Sequence, residues 1–167
     1  MNEHYECKIA SLAEMEKQWD YLIKSHTDDR GNWIVWRESA LKKAKEGKAI
    51  PYYGFLNGAI ICEATALIYP DVVTDNEGLV DEHTAHLQAF RTIKPLRGKG
   101  WFSKLMTFML DDLRKRGYTR VTVGVEPTET KNKEIYAHFG FTEYIKSGTD
   151  IYPDGTVINV EYYGKTL

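Results

Sequence analysis

Cysteine is scarce in this chain, and apolar residues never run long. The two cysteines, Cys7 and Cys62, cannot supply a disulfide framework, so a reducing, cytoplasmic setting is expected. The longest apolar stretch, Ala59 to Tyr69, is broken by Glu63 and Thr65. It falls far short of the roughly 20 residues that a membrane span needs. The N-terminus, MNEHYECKIA, is polar and charged, and no signal peptide is expected. Neither sign of charge dominates: 22 Lys and Arg against 24 Asp and Glu give −2. Such a weakly acidic chain is a poor general binder of nucleic acid, because that binding depends on phosphate neutralisation. No repeat, linker or low-complexity tract divides the 167 residues, and one domain spanning 1–167 is expected. Apolar and aromatic side chains are plentiful, at 43% and 13%, enough for a sizeable core.

The elements follow from periodicity and punctuation. Tyr5 to Ala10 reads as a strand. Ser11 stands three residues before Glu14, a capping-box spacing ahead of Leu12, Met15, Trp19, Leu22 and Ile23. After the loop HTDDRGN, a second helix is expected from Trp33 to Lys45, ended by Gly47. Asn57-Gly58 joins the apolar runs AIPYYGFL and AIICEATALIY as a hairpin. A polar stretch, Pro70 to Glu82, precedes a strand from Thr84 to Ile93. Beyond the RGKG turn, apolar residues at helical spacing run from Trp101 to Leu113. A β-branched strand (Arg120 to Glu126), a short helix (Lys131 to Phe139) and two strands (Phe141 to Lys146, Val157 to Tyr163) complete the order. The fold class is α/β (α+β): a mixed sheet with helices on its faces and a central βαβ crossover.

Charge is concentrated in one place. Arg91, Lys94, Arg97, Lys99 and Lys104 put +5 between residues 91 and 104, leaving −7 on the rest of a chain totalling −2. This cluster flanks a glycine turn between a strand and a helix. The first N–H groups of a helix lack intrahelical partners, and its dipole is positive there. Gly98 and Gly100 carry no Cβ to keep an oxyanion away, and no Ser, Thr, Asp or Asn occupies the N-cap position. Strand, basic glycine turn and amphipathic helix together describe a pyrophosphate cradle. A P-loop would need G-x-x-x-x-G-K-[ST], which does not occur. A dinucleotide fingerprint would need a glycine where Ser103 stands, in a βαβ opened by the first strand.

These residues resemble the GNAT superfamily of acetyl-CoA-dependent N-acetyltransferases. Arg97-Gly98-Lys99-Gly100 is similar to that family's R/Q-x-x-G-x-G/A loop, and Tyr136-Ala137-His138-Phe139-Gly140-Phe141 to its Y-x-x-x-G-F signature. The element order matches as well, implying a mostly antiparallel sheet of about seven strands. Three features depart from the pattern: Phe102 replaces the loop's last small residue, Pro95 stands one residue nearer the arginine than usual, and Glu129 occupies the expected asparagine position. Asn132 is the substitute candidate for that asparagine. The resemblance implies acetyl-CoA as co-substrate, no metal, and cofactor contacts from Arg91, Thr92, Ile93, Arg97, Gly98, Lys99, Gly100, Trp101, Phe102, Ser103 and Asn132.

It also implies direct transfer in a ternary complex, since no motif places a cysteine to carry an acetyl group. Tyr136 takes the position of the general acid, because a phenol of pKa about 10 protonates a departing thiolate. His86, eleven residues before Arg97, takes that of the base, with Glu126 in reserve. Strand alternation places His86, Gln88 and Phe90 on one face, and Leu87, Ala89 and Ile93 on the other. His83 and His86 would point oppositely, which argues against a metal site with Asp81 and Glu82. Gly124 interrupts the β-branched strand where the family's central strands splay.

The acceptor is a small-molecule or peptide amine. Asp71, Asp75, Glu77, Asp81 and Glu82, with no Lys or Arg between residues 70 and 87, would draw a cationic amine if that loop borders its site. Trp33, Trp36, Tyr52 and Tyr53 are candidate pocket walls. No nucleic-acid or membrane partner is expected, and a homodimer is left open. The rival reading is a non-catalytic CoA sensor on the same scaffold, which needs the cradle but neither Tyr136 nor His86. A third is a nucleotide-binding interaction domain.

Overall fold

The computed structural model describes residues 3–167. Seven strands form one sheet: β1 (Tyr5–Ile9), β2 (Ala49–Leu56), β3 (Ala59–Leu67), β4 (Thr84–Thr92), β5 (Arg120–Val125), β6 (Glu143–Ile151) and β7 (Val157–Thr166). Their spatial order is β1-β2-β3-β4-β5-β7-β6. Only β4 and β5 run parallel; the other neighbours are antiparallel. The four helices are α1 (Leu12–Ser25), α2 (Arg30–Lys45), α3 (Trp101–Lys115) and α4 (Thr130–His138). Among the described residues, no helix is long and apolar enough to cross a membrane.

Local signals explain most of these elements. Ser11 and Glu14 cap α1 reciprocally, at 3.1 and 2.9 Å. Leu105, Met106, Met109, Leu110 and Leu113 give α3 its buried stripe, which lies on Tyr52, Ala64, Ala66, Leu87 and Val123 of the sheet. On the opposite face, α1 and α2 bury Met15, Trp19, Leu22, Trp33 and Leu41 against Tyr53 and Phe55. Helices therefore cover both faces.

The structure corrects the expected boundaries chiefly in α2, β6 and β7, the last of which runs to Thr166 rather than Tyr163. Helix α2 begins at Arg30 rather than Trp33. Asn32, a weak helix former, is held there by two 3.0 Å hydrogen bonds with Asp154 in the β6–β7 turn, so tertiary contact overrides propensity. Strand β6 starts at Glu143 and reaches Ile151, because antiparallel pairing with β7 carries the weakly β-prone Ser147-Gly148-Thr149-Asp150 into the sheet.

Two irregularities in β4 position the site. Its parallel ladder with β5 ends at the pair Leu87–Val123, after which the strands diverge. A bulge follows, since three residues of β3 (Thr65 to Glu63) face four of β4 (Gln88 to Arg91). Ala89 lies in that bulge at φ 58°, a left-handed conformation that a Cβ disfavours.

Candidate active site

The glycine turn is a left-handed corner. Gly98 has φ 75° and Gly100, the N-cap of α3, φ 86°, and open space surrounds the position of a Cβ at both. No side chain caps α3 and no acidic residue occupies its first turn. The first intrahelical bond to the cap is from the Lys104 N–H, at 3.3 Å, which leaves the N–H groups of Trp101, Phe102 and Ser103 for a ligand. The Tyr5 hydroxyl donates to the Trp101 carbonyl (2.9 Å) and fixes this turn. Arg97 Nε donates to the Thr92 carbonyl (2.9 Å), which ties the turn to the end of β4.

In front of the turn lies a groove of about 600 Å³, lined by Thr92, Arg97, Gly98, Gly100, Phe102 and Asn132 among others, and by no acidic side chain. Basic and uncharged side chains and the open amides of α3 therefore face a space long enough for an extended polyanion. Ser103 and Trp101 also line it, and Arg91 does so at the strand. Lys99 and Ile93 do not; the Ile93 side chain packs in the core and its N–H bonds the Ile61 carbonyl (2.9 Å). The Phe102 ring packs on Phe90 and Phe139, at 5.3 and 6.1 Å between ring centres, so its side chain forms wall while its N–H stays at the turn. Asn132 donates to Glu129 at 2.6 Å.

Where β4 and β5 diverge, a cleft of about 300 Å³ opens, walled by Gln88, Ala89, Phe90, Gly124, Glu126 and Tyr136. A Cβ at Gly124 would meet Val160 at 2.9 Å and the Tyr162 ring at 3.0 Å, so this glycine admits β7 side chains into the wall. Tyr136 borders both the groove and the cleft, its ring set edge-on to Phe90 at 5.6 Å. Burial first, then the Glu129 carboxylate, raises its phenol above the ordinary value, so it holds its proton. Burial and the Glu129 charge also raise the Glu126 carboxyl.

His86 borders the cleft but is only 8% exposed. Its Nδ1 lies 2.8 Å from Thr122 Oγ1, whose own proton goes to the Leu79 carbonyl at 2.8 Å. The Thr122 oxygen must therefore accept, so Nδ1 carries the imidazole proton and Nε2 is a bare acceptor. Burial pushes its pKa down to about 4, and the ring is neutral at pH 7.

A third cavity, of about 350 Å³, adjoins the cleft, shares His86, Gln88, Ala89, Asp150, Tyr152 and Tyr162 with it as lining, and reaches the underside of α1 and α2. The bulge corrects the expected strand faces: Phe90 joins Leu87 on the α3 side, while Arg91 turns with His86 and Gln88 toward this inner cavity. There Arg91 Nη1 bonds Glu63 Oε1 (2.8 Å), and its guanidinium lies 5.5 and 5.1 Å from the Trp19 and Trp33 ring centres. Gln18 Nε2 donates to the other Glu63 oxygen.

Of the four candidate wall aromatics, Trp36 and Tyr53 line this cavity. Tyr52 instead faces α3 and donates to Asp112 (2.6 Å), and Trp33 stacks on His26 behind Arg91. The acidic loop contributes Val72, Val73 and Thr74 rather than its carboxylates. Asp71 pairs with Lys48, Asp75 with Lys146, and Asp81 accepts from the His83 N–H. The carboxylates that do face the cleft are Glu126, Glu129 and Asp150. Sequence reasoning missed Glu129 and Asp150 as cleft residues, and Lys43, Glu63 and Gln18 altogether, because no local signal links α1, α2, β3 and β6. Among the described residues no three His, Cys, Asp or Glu side chains gather as a metal site would.

Residues 8–141 match the profile of the Acetyltransferase (GNAT) family. No functionally curated protein matches the chain. Many solved structures share its fold. The ribosomal-protein-S18-alanine N-acetyltransferase of Escherichia coli aligns with TM-score 0.71 at 12% identity, over 98% of this chain and 94% of that one. The ribosomal-protein-alanine N-acetyltransferase of Brucella melitensis aligns with TM-score 0.67 at 16% identity, over 97% and 99%. A putative acetyltransferase from Salmonella typhimurium, yncA, solved with its cofactor acetyl-CoA, aligns with TM-score 0.65 at 16% identity, over 98% and 94%.

Proposed function

The chain belongs to the acetyltransferase (GNAT) family, and we propose that this N-acetyltransferase works by direct attack of a primary amine on acetyl-CoA, both held at once. Tyr136 carries the proposal, because it alone among the proton-transfer candidates borders both the CoA groove and the acceptor cleft. Acetyl-CoA supplies the acetyl thioester, whose C–S bond breaks as the new C–N bond forms. The amides of Trp101, Phe102 and Ser103 would hold its diphosphate, and the β4 edge beyond Leu87, released from β5, offers backbone partners to its arm.

Glu126 takes one proton of the incoming ammonium, through water; Tyr136 gives its own to the departing thiolate, and the second proton lost by the nitrogen after attack restores the phenol. Burial moves the Glu126 carboxyl toward the operating pH, whereas it moves His86 away from it. We therefore assign Glu126 the base and His86 a wall position with its Nε2 acceptor toward the amine. The carboxylates of Glu126, Glu129 and Asp150, with no Lys or Arg lining the cleft, favour an ammonium before it is deprotonated. A cofactor sensor would need the cradle but neither this cleft nor a phenol at its junction. We read residues 1–167 as one cytoplasmic domain, a reading supported by the continuous sheet and two free cysteines.

The test is thiol release from acetyl-CoA across an amine panel, with a melting curve alongside. Acetyl-CoA at 100 times Kd adds about 2.7 kcal/mol, roughly 5–11 °C for a chain this size. Tyr136→Phe should lower kcat about 100-fold and keep that shift. A flat melting response, or equal turnover in the mutant, overturns the assignment.

A further inference from the structure

The inner cavity carries two cations, Lys43 and Arg91, of which Arg91 also lines the groove in front of the glycine turn. Lys43 of α2 lines the inner cavity, and among the described residues no carboxylate lies within 4.0 Å of its ammonium. Burial alone lowers its pKa, as expected for a charge facing a partly dry space without a counter-ion. The other cation is Arg91. Only its Nη1 is engaged by a side chain, on Glu63, and Glu63 is fixed in turn by Gln18. Trp19 and Trp33 hold the plane of the guanidinium. A guanidinium has five N–H donors in a rigid fork, so most of this fork remains available to the cavity.

Charge is thus divided between two adjoining cavities. Glu126 and Glu129 line the cleft, beside Tyr136, and not the inner cavity; Lys43 and Arg91 line the inner cavity and not the cleft; Asp150 lines both. Glu63 pairs with Arg91, and Asp150 does not pair with Lys43, whose ammonium has no carboxylate within 4.0 Å among the described residues. The planar fork of Arg91, with the unpaired Lys43 ammonium lining the same cavity, suits a carboxylate.

We infer that the acceptor is an amino-carboxylate, such as a free amino acid, with its amine in the cleft beside Tyr136 and its carboxylate on Arg91 and Lys43. This inference rests on the acetyltransferase reading and narrows it. Trp36 and Tyr53, lining the same inner cavity, would pack on the acceptor's apolar part. Glu63 and Gln18 act as positioning residues for Arg91 and touch no substrate.

The experiment compares the common amino acids with their carboxamides and with the corresponding decarboxylated amines, at saturating acetyl-CoA. For at least one amino acid, kcat/KM should exceed that of its amide by about 10-fold or more. Lys43→Met, at a half-exposed position that should tolerate the change, should raise KM for the acid about 10-fold and leave kcat and the amide's KM unchanged. Arg91→Lys retains the charge beside Glu63 and should lower the acid preference by removing the fork. Melting curves with CoA present give a second readout, in which the acid raises Tm and its amide does not. Amides, amines or short peptides used as well as the acids would overturn the inference, as would an acid preference that survives both variants, or the absence of any carboxylate-dependent turnover or shift. Loss of the acetyl-CoA shift itself would instead mark failure of the acetyltransferase reading.

Discussion

His86 offers a test of burial against catalysis, and it can be read from stability alone. In the folded chain its pKa is pushed down to about 4 from an ordinary 6.5. As pH falls, the unfolded chain therefore takes up this proton first, and folding stability is lost progressively between about pH 6.5 and 4. The gap of about 2.5 units, at about 1.4 kcal/mol each, is worth about 3 kcal/mol in full. At pH 4.5 most of that should already be gone. With a urea m-value of about 2 kcal/mol/M, the midpoint falls by about 1 M from this group alone. Carboxylates also respond to acid, so the measurement is a difference. Urea midpoints of the wild type and His86→Asn are compared at pH 7.5 and pH 4.5. Asn keeps an N–H donor for Thr122 Oγ1 and cannot titrate. The wild type should lose about 1 M more than the variant. Equal losses would mean that the buried imidazole is not the group described. A limb near pH 6.5 in kcat/KM that disappears in the variant would restore His86 as the base.

Gly100→Val should lower stability by about 1–2 kcal/mol, because φ 86° is a left-handed conformation that a β-branched residue resists; it should also abolish the acetyl-CoA melting shift, and a retained shift would argue against the cradle. Arg97→Gln should raise the KM for acetyl-CoA several-fold while Lys99→Gln leaves it nearly unchanged, since only Arg97 lines the groove; equal effects in steady-state kinetics would count against that geometry.

The cradle was legible because its signals are local. A glycine turn, a missing cap and a run of basic residues lie within fourteen consecutive positions, and periodicity alone reveals the helix that follows. The capping box at Ser11 and the Asn57-Gly58 hairpin were legible for the same reason. The inner cavity was not, because it is assembled from α1, α2, β3, β4 and β6. Asn32 shows the limit in miniature: its helical place depends on Asp154, 122 residues away. The acidic loop misled for a related reason. Asp71, Asp75 and Asp81, three of its five carboxylates, are consumed by Lys48, Lys146 and the backbone, and such pairings cannot be read from a local charge count.

The bulge at Ala89 shows how one local irregularity serves both halves of the reaction. Regular alternation from His86 would place Phe90 with Gln88 and send Arg91 to the opposite side. The extra residue exchanges them. Phe90 turns to the α3 side, where it supports Tyr136 and Phe102, and Arg91 turns inward to Glu63 and the tryptophans. The same irregularity follows directly on the last β4–β5 pair, where the cleft must open. A left-handed alanine is costly in an ordinary strand, by roughly 1–2 kcal/mol. It persists here because the packing on both faces of the sheet fixes the residues on either side of it. The strain at Ala89 is therefore tied to geometry that brings a cofactor wall and an acceptor-binding guanidinium from adjacent residues of one strand.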